Sequence, residues 1–449
     1  MKSKAARQID MLNGTLMDKI LIFALPLAAS SILQQLFNSA DVAVAGRFAG
    51  SIAQAAVGVN SSVITLMINM FVGLSVGANV VIANYIGQRK ENDIQDIVHT
   101  VIMLALISGF SMLVIGQFVG RPILTLMDTP QDIMDQAVIY LRIYFLGMPF
   151  IMIYNFGSAI LRSVGDTKRP LYCLTASGIL NVCLNLMFVI VFHMGASGVA
   201  LATTLSNGAS AGMIFTFLLR EESMIQVDIH KLSINGSHLL RIIRIGVPAG
   251  IQGVVFSLSN VCIQTAVNSF GSSAIAGSAA AVNFEFFTYF MTTSFAQAAV
   301  TFTSQNFGAR KFDRCKKVFR LSVLGGLLFD GIMCAFFVLA RGFLLRLFTV
   351  DPIAIQYANI RVMRVESLAF IVILYEVTGG ALRGMGYSMM PAVISIFGSC
   401  ILRFVWVLTV FKHFSSFEML MNVYPVSWIV TITMMIIAYF IIGKKVLRE

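Results

Sequence analysis

Apolar residues run along this chain in blocks of about 20 or more, the length a helix needs to cross the hydrocarbon core of a bilayer. Short polar clusters separate the blocks. Twelve candidate spans result: 18–43, 52–81, 95–119, 137–160, 170–192, 196–219, 240–268, 280–303, 318–341, 357–380, 391–411 and 423–443. Most connections are too short to hold a soluble domain. The pattern predicts an all-α integral membrane protein of twelve transmembrane helices.

Composition sharpens this picture. Of the 449 residues 57% are apolar and only 12% are charged, and mean hydropathy is +0.84. A soluble domain carries about 25% charged residues, so a soluble enzyme and a disordered chain are both excluded. The net charge of +11 would suggest nucleic acid on a soluble protein, but membrane proteins collect such an excess in cytoplasmic loops. No nucleic-acid partner is indicated. Placing the Lys and Arg residues by side gives 23 with the termini and even-numbered loops, 8 on the other side, and Arg403 within a span. Both termini are therefore expected in the cytoplasm. The apolar run from Ile20 is too long for a signal-peptide core and reads as a retained first span. Six scattered cysteines form neither a disulfide framework nor a zinc site.

The chain also repeats itself. LRSVGDTKRP at Leu161–Pro170 recurs as LRGMGYSMMP at Leu382–Pro391, and at the same offset IGQRK ending at Lys90 recurs as FGARK ending at Lys311. ALPLAAS around Pro26 recurs as GVPAGIQ around Pro248, in nearly the same register. Six spans per half is an even number, so the halves share one orientation. Two six-helix bundles related by a pseudo-two-fold axis along the membrane normal follow. The expected division is a cytoplasmic segment 1–17, a bundle 18–220, a cytoplasmic linker 221–239, a second bundle 240–443 and a tail 444–449.

Charge near the bilayer centre costs about 2.5 to 3.5 kcal/mol on insertion scales, so each intramembrane ionisable group needs a reason. Gln34, Asn38 and Asp41 follow i, i+4, i+7 and form one helical stripe. Asp41 could line a wet surface or lie at the outer headgroups, since its depth alone fits both. Asn181 and Asn185 share a face of span five, and Thr203, Thr204, Ser206 and Asn207 cluster on span six. Their oxygens suit a monovalent cation if a carboxylate supplies charge, or else bond neighbouring helices. Glu376 beside Tyr375, and Glu285 within NFEFFTYF, could line an aromatic cavity for cationic amphiphiles. Glu366, near Arg361 and Arg364, reads as an interfacial ion-pair residue, and Asp330 has no evident partner. Pro26, Pro149 and Pro248 permit bends within spans.

Enzymatic readings are weak. Asn92, Asp93 and Asp96 resemble half of a magnesium-diphosphate site, as in a membrane prenyltransferase, but a second acidic motif is missing. Acids at the start of helix three explain them better. There is no GxxxxGK[ST] phosphate loop and no HExxH, so no cofactor is expected and transport would run on an ion gradient.

The repeated LRSVGDTKRP and LRGMGYSMMP segments, IGQRK after span two and GVALATTLSN in span six resemble the multidrug and toxic compound extrusion (MATE) family over about residues 15–443. Asp41 and Pro26 look like the bacterial branch with its essential acid and a proline in helix one. The resemblance implies a cation site at Asp41, Asn181, Asn185 and Thr203 for H+ or Na+. Asn185 stands where that branch has a second aspartate, which removes a charge, and Phe256 stands where another branch has a glutamate. The implied activity is cation-coupled antiport of amphipathic, often cationic, organic compounds across the cytoplasmic membrane by a monomer in lipid. Gln34, Asn38, Asn155, Glu285 and Glu376 would face the substrate cavity, and Pro26 would bend helix one. A flippase for lipid-linked sugars is the alternative, and a prenyltransferase a lower one.

Overall fold

The computed structural model describes residues 8–127 and 129–446. Lys2, Lys4 and Arg7 of the expected cytoplasmic segment, and Arg448 of the tail, lie outside the described residues. The first helices are α1 (Met17–Val44), α2 (Ser51–Gln88), α3 (Glu91–Leu126), α4 (Gln131–Leu146), α5 (Met148–Ser163), α6 (Lys168–Leu186) and α7 (Gly195–Leu219). They are followed by α8 (Gly236–Asn268), α9 (Ser272–Gly308), α10 (Phe312–Phe348), α11 (Pro352–Arg364), α12 (Val372–Gly384) and α13 (Met389–Ser395). The last are α14 (Leu402–Leu408), α15 (Val410–His413), α16 (Phe417–Met421) and α17 (Val423–Val446).

Among the described residues nine helical stretches are long and apolar enough to span a membrane, and the bent pair α4–α5 makes a tenth. The helices α7 and α9 occupy the places of expected spans six and eight. Span four is broken into α4 and α5, a bend of the kind Pro149 permits. It bends by 47° at Gly147, and Pro149 in the first turn of α5 has no amide to continue the α4 ladder. Large apolar side chains face outward, among them Phe118, Leu339 and Leu408, each at least 70% exposed. Such a surface is stable against lipid rather than water.

The described residues form two compact units. One is Ala29–Val247 with Gln8 and Ile9; the other joins Asp10–Ala28 to the residues from Pro248 onward. The borders therefore fall inside α1 and α8, and the segment 221–239 belongs to the first unit. That segment is bonded back onto the first unit: the Asp228 N–H donates to His99 Nε2 at 3.1 Å and the Asn235 N–H to Thr100 Oγ1 at 3.0 Å. The first turns of α8 follow, with Arg241 Nη1 donating to Tyr85 OH at 2.5 Å. In the second unit Asn306, Lys311 and Arg314 donate to the carbonyls of residues 11–14, which ties Asp10–Ala28 to it.

Within the first unit α3 packs closely on α5, since a Cβ at Gly109 would stand 2.6 Å from Pro149 Cα. In the second, α9 is the central helix, packed by α10, α11 and α12. A Cβ at Gly380 would stand 2.7 Å from Ala296 O, the small-residue contact that lets membrane helices approach. The repeat survives in the backbone. Gly50 and Gly271, Arg89 and Arg310, and Gly165 and Gly386 adopt positive φ in pairs that keep the offset of Lys90 from Lys311. In the first LRSVGDTKRP copy Asp166 Oδ1 accepts from the Lys168 and Arg169 amides and starts α6, while Arg169 Nη1 reaches Glu221 at 2.6 Å.

Candidate cation-coupling site

Asp41 lies in the last turn of α1, 7% exposed and buried by protein within the first unit. Asn185 Nδ2 donates to its Oδ1 at 2.5 Å, and Thr203 Oγ1 lies 3.2 Å from its Oδ2. Asn185 Nδ2 also donates to Asn181 Oδ1 at 3.2 Å, and Asn181 Nδ2 donates to Thr203 Oγ1 at 3.3 Å. Four side chains from α1, α6 and α7 thus close a ring. Helical spacing makes it: Asn181 and Asn185 are one turn apart, so both amides face the same way. The Thr203 hydroxyl has a second acceptor, Val199 O at 2.9 Å, and its proton can turn to either.

The ring surrounds the carboxyl with neutral donors, and no Lys, Arg or His pairs with it among the described residues. Asn185 Oδ1 is buried without a hydrogen-bond partner. A buried orphan oxygen beside a carboxylate suits a small cation, either a proton on Asp41 or a sodium ion taking oxygens from Asp41, Asn181, Asn185 and Thr203. Among the described residues no cluster of His, Cys, Asp and Glu could hold a resident metal. Two groups escaped the sequence reading. Tyr140 and Tyr144 on α4, stacked with centroids 6.3 Å apart, lie within electrostatic reach of Asp41. Their i, i+4 spacing was the available signal.

The other expected residues of the first unit lie outside the ring. Gln34 and Asn38, on the Asp41 stripe, are exposed and outside the ring. Asn155 Nδ2 bonds its own helix at Ile151 O, 2.9 Å away. Pro26 lies within α1, two residues before the unit border.

In the second unit Glu285 lines a cavity of about 260 Å3, which Glu376 does not line. Glu285 is not the bare acid that a cationic ligand would want: Arg361 Nε reaches its Oε1 at 2.5 Å and Nη2 its Oε2 at 2.9 Å. This fork corrects the expected pairing of Glu366 with Arg361. Glu366 is fully buried and accepts from Thr288 Oγ1 at 2.6 Å. Asp330 has a partner after all, Thr292 Oγ1 at 2.6 Å. Glu376 stands within electrostatic reach of Arg383 and Tyr289. Of the motif Asn92, Asp93 and Asp96, Asp93 lies in the first turn of α3, where the helix dipole favours it.

A family model described as MatE matches residues 26–187 and again 248–409. The two matches are equally long and begin at the paired prolines Pro26 and Pro248, in agreement with the internal repeat. The probable multidrug resistance protein YoeA of Bacillus subtilis is 26% identical over 439 residues, covering 94% of this chain and 93% of that protein. The probable multidrug resistance protein NorM of Thermotoga maritima is 26% identical over 402 residues, covering 88% and 86%. The Vibrio cholerae MATE transporter VcmN in its bent form superposes with a TM-score of 0.86 at 20% identity, over 96% of this chain and 97% of that one.

Proposed function

The chain belongs to the MatE family of multidrug transporters, and from that premise we propose that it is a cation-coupled antiporter that exports amphipathic organic compounds across the cytoplasmic membrane. One chain carries both repeat units, so the proposed cycle calls for no second copy. The observation that carries the reading is the Asp41 carboxyl inside a ring of neutral donors. A buried carboxylate without a basic partner is costly, so its charge is met by a proton or a metal ion, and in the proposed cycle that cation comes and goes. Asn185 and Thr203 can serve either state. When Asp41 is ionised they donate to it; when it is protonated the Thr203 hydroxyl turns to Val199 O and the acid proton takes over as donor.

Only one carboxylate stands in the ring, so the proton is the simpler coupling ion. A dehydrated sodium ion gains most from several negative charges, whereas a proton needs one carboxylate. Efflux of a fluorescent amphiphile from proteoliposomes, with pH and sodium gradients imposed separately, tests the reading. Export driven by a pH gradient alone is expected. Export that ignores both gradients overturns coupled antiport.

A further inference from the structure

We propose that the cavity in the second unit binds the anionic group of a compact aromatic compound, with Arg403 as its counter-ion. The cavity of about 260 Å3 lies among α8, α9, α11, α12, α14 and α17. Its walls carry the rings of Phe256, Tyr289, Tyr375, Tyr424 and Trp428. Arg403 is 1% exposed and lies over two of them, 5.2 Å from the Phe256 centroid and 4.7 Å from that of Tyr424.

The charge balance of the walls points to an anion. Arg361 is neutralised by the Glu285 fork and further bonded to Ser278 Oγ at 2.6 Å and Tyr424 OH at 3.3 Å. Arg403 has only neutral acceptors, Asn260 Oδ1 at 3.1 Å and Ser427 Oγ at 3.4 Å, and its Nη2 makes no hydrogen bond. No carboxylate pairs with it among the described residues. Asp330 and Glu366 accept from Thr292 and Thr288 and do not line the cavity. A guanidinium buried at membrane depth with no anion is costly. A bound carboxylate, sulfonate or phosphate would supply the missing charge through the free Nη2, while the rings stack on the aromatic body.

The repeat sharpens the contrast. In the register of the two family matches, Asp41 corresponds to Ile263 and Asn181 to Arg403, and both of these line the cavity. The first unit places an acid among amides where the second places a base among rings.

The physiological role of this site rests on the exporter reading, but its occupancy does not, so the test is binding without a gradient. Equilibrium dialysis of the full-length protein in detergent uses radiolabelled 2-naphthoate and 2-naphthylmethylammonium, which share a ring system and differ in charge. One naphthoate per chain is expected, with the ammonium compound weaker by about tenfold or more. Arg403→Gln should weaken naphthoate by a similar factor. If Arg403→Gln fails to fold, Asn260→Asp carries the test, because it places an internal carboxylate beside Nη1 and should exclude naphthoate while retaining the arginine. Equal binding of both probes, or naphthoate binding unchanged in a monodisperse Asn260→Asp protein, overturns the proposal. Displacement of naphthoate by phosphatidylglycerol would assign the anion to lipid and overturn it also. Loss of this binding leaves the Asp41 reading standing, and gradient-independent efflux from a naphthoate-binding protein does the reverse.

Discussion

Asn185 Nδ2 lies 2.5 Å from Asp41 Oδ1, while Asn185 Oδ1, on the same amide, is buried without a partner. The amide therefore spends its donor on the acid and keeps its acceptor in reserve. That arrangement lets one side chain meet both an ionised carboxylate and an incoming cation.

Asp41→Asn should remain folded, because the Asn185 amide can flip and turn its free oxygen toward the new donor. A loss of about 1 kcal/mol or less is expected, the scale of one hydrogen bond. Gradient-driven export should fall at least about tenfold, since an amide cannot alternate between protonated and ionised forms. Efflux assays beside a thermal melt separate the two effects. Near-normal export by a well-folded variant would remove Asp41 from coupling.

Asn185→Asp sets two carboxyl groups within hydrogen-bond reach in a buried site. The second charge should draw sodium into the ring, so export should become more dependent on sodium than in the unmutated protein. Efflux at fixed pH with and without sodium, in both proteins, makes the comparison. Strict sodium dependence of the unmutated protein, with no response to a pH gradient, would show that the absent carboxylate does not decide the ion.

Glu285 and Arg361 form a two-point fork whose acid is 18% exposed and whose base is 5% exposed. Glu285→Gln leaves Arg361 buried without its anion and should cost up to about 3 kcal/mol, the partial exposure of the acid holding the loss at the low end for a broken buried pair. Removing both charges with Glu285→Gln/Arg361→Met should recover most of the loss. Thermal unfolding in detergent reads both. A double variant no better than the single one would assign the fork no electrostatic role.

Cysteine tags at Ser3 and Arg448 should both be labelled from the cytoplasm, as the 23 to 8 charge split implies. Labelling of either one only from outside would break the even span count.

Hydropathy, loop charge and the internal repeat made the helical membrane fold legible in the sequence, because insertion depends on the apolar length of each segment alone. The same local logic set the Gln34, Asn38, Asp41 stripe and the shared face of Asn181 and Asn185. Which faces meet is a different matter. Asp41 and Asn185 are 144 residues apart, and Glu285 and Arg361 are 76 apart, so nothing local says that the first pair joins or that Arg361 chooses Glu285 over Glu366. The unit borders inside α1 and α8 and the unpaired Arg403 share that origin, whereas Pro149 already allowed the 47° bend at Gly147. The chain by itself determined how many apolar spans there are, where their polar stripes lie and that the pattern occurs twice. The tertiary structure alone decided which stripes face each other, because in a bilayer interhelical packing and hydrogen bonds, not further burial from water, select the partner of each polar group.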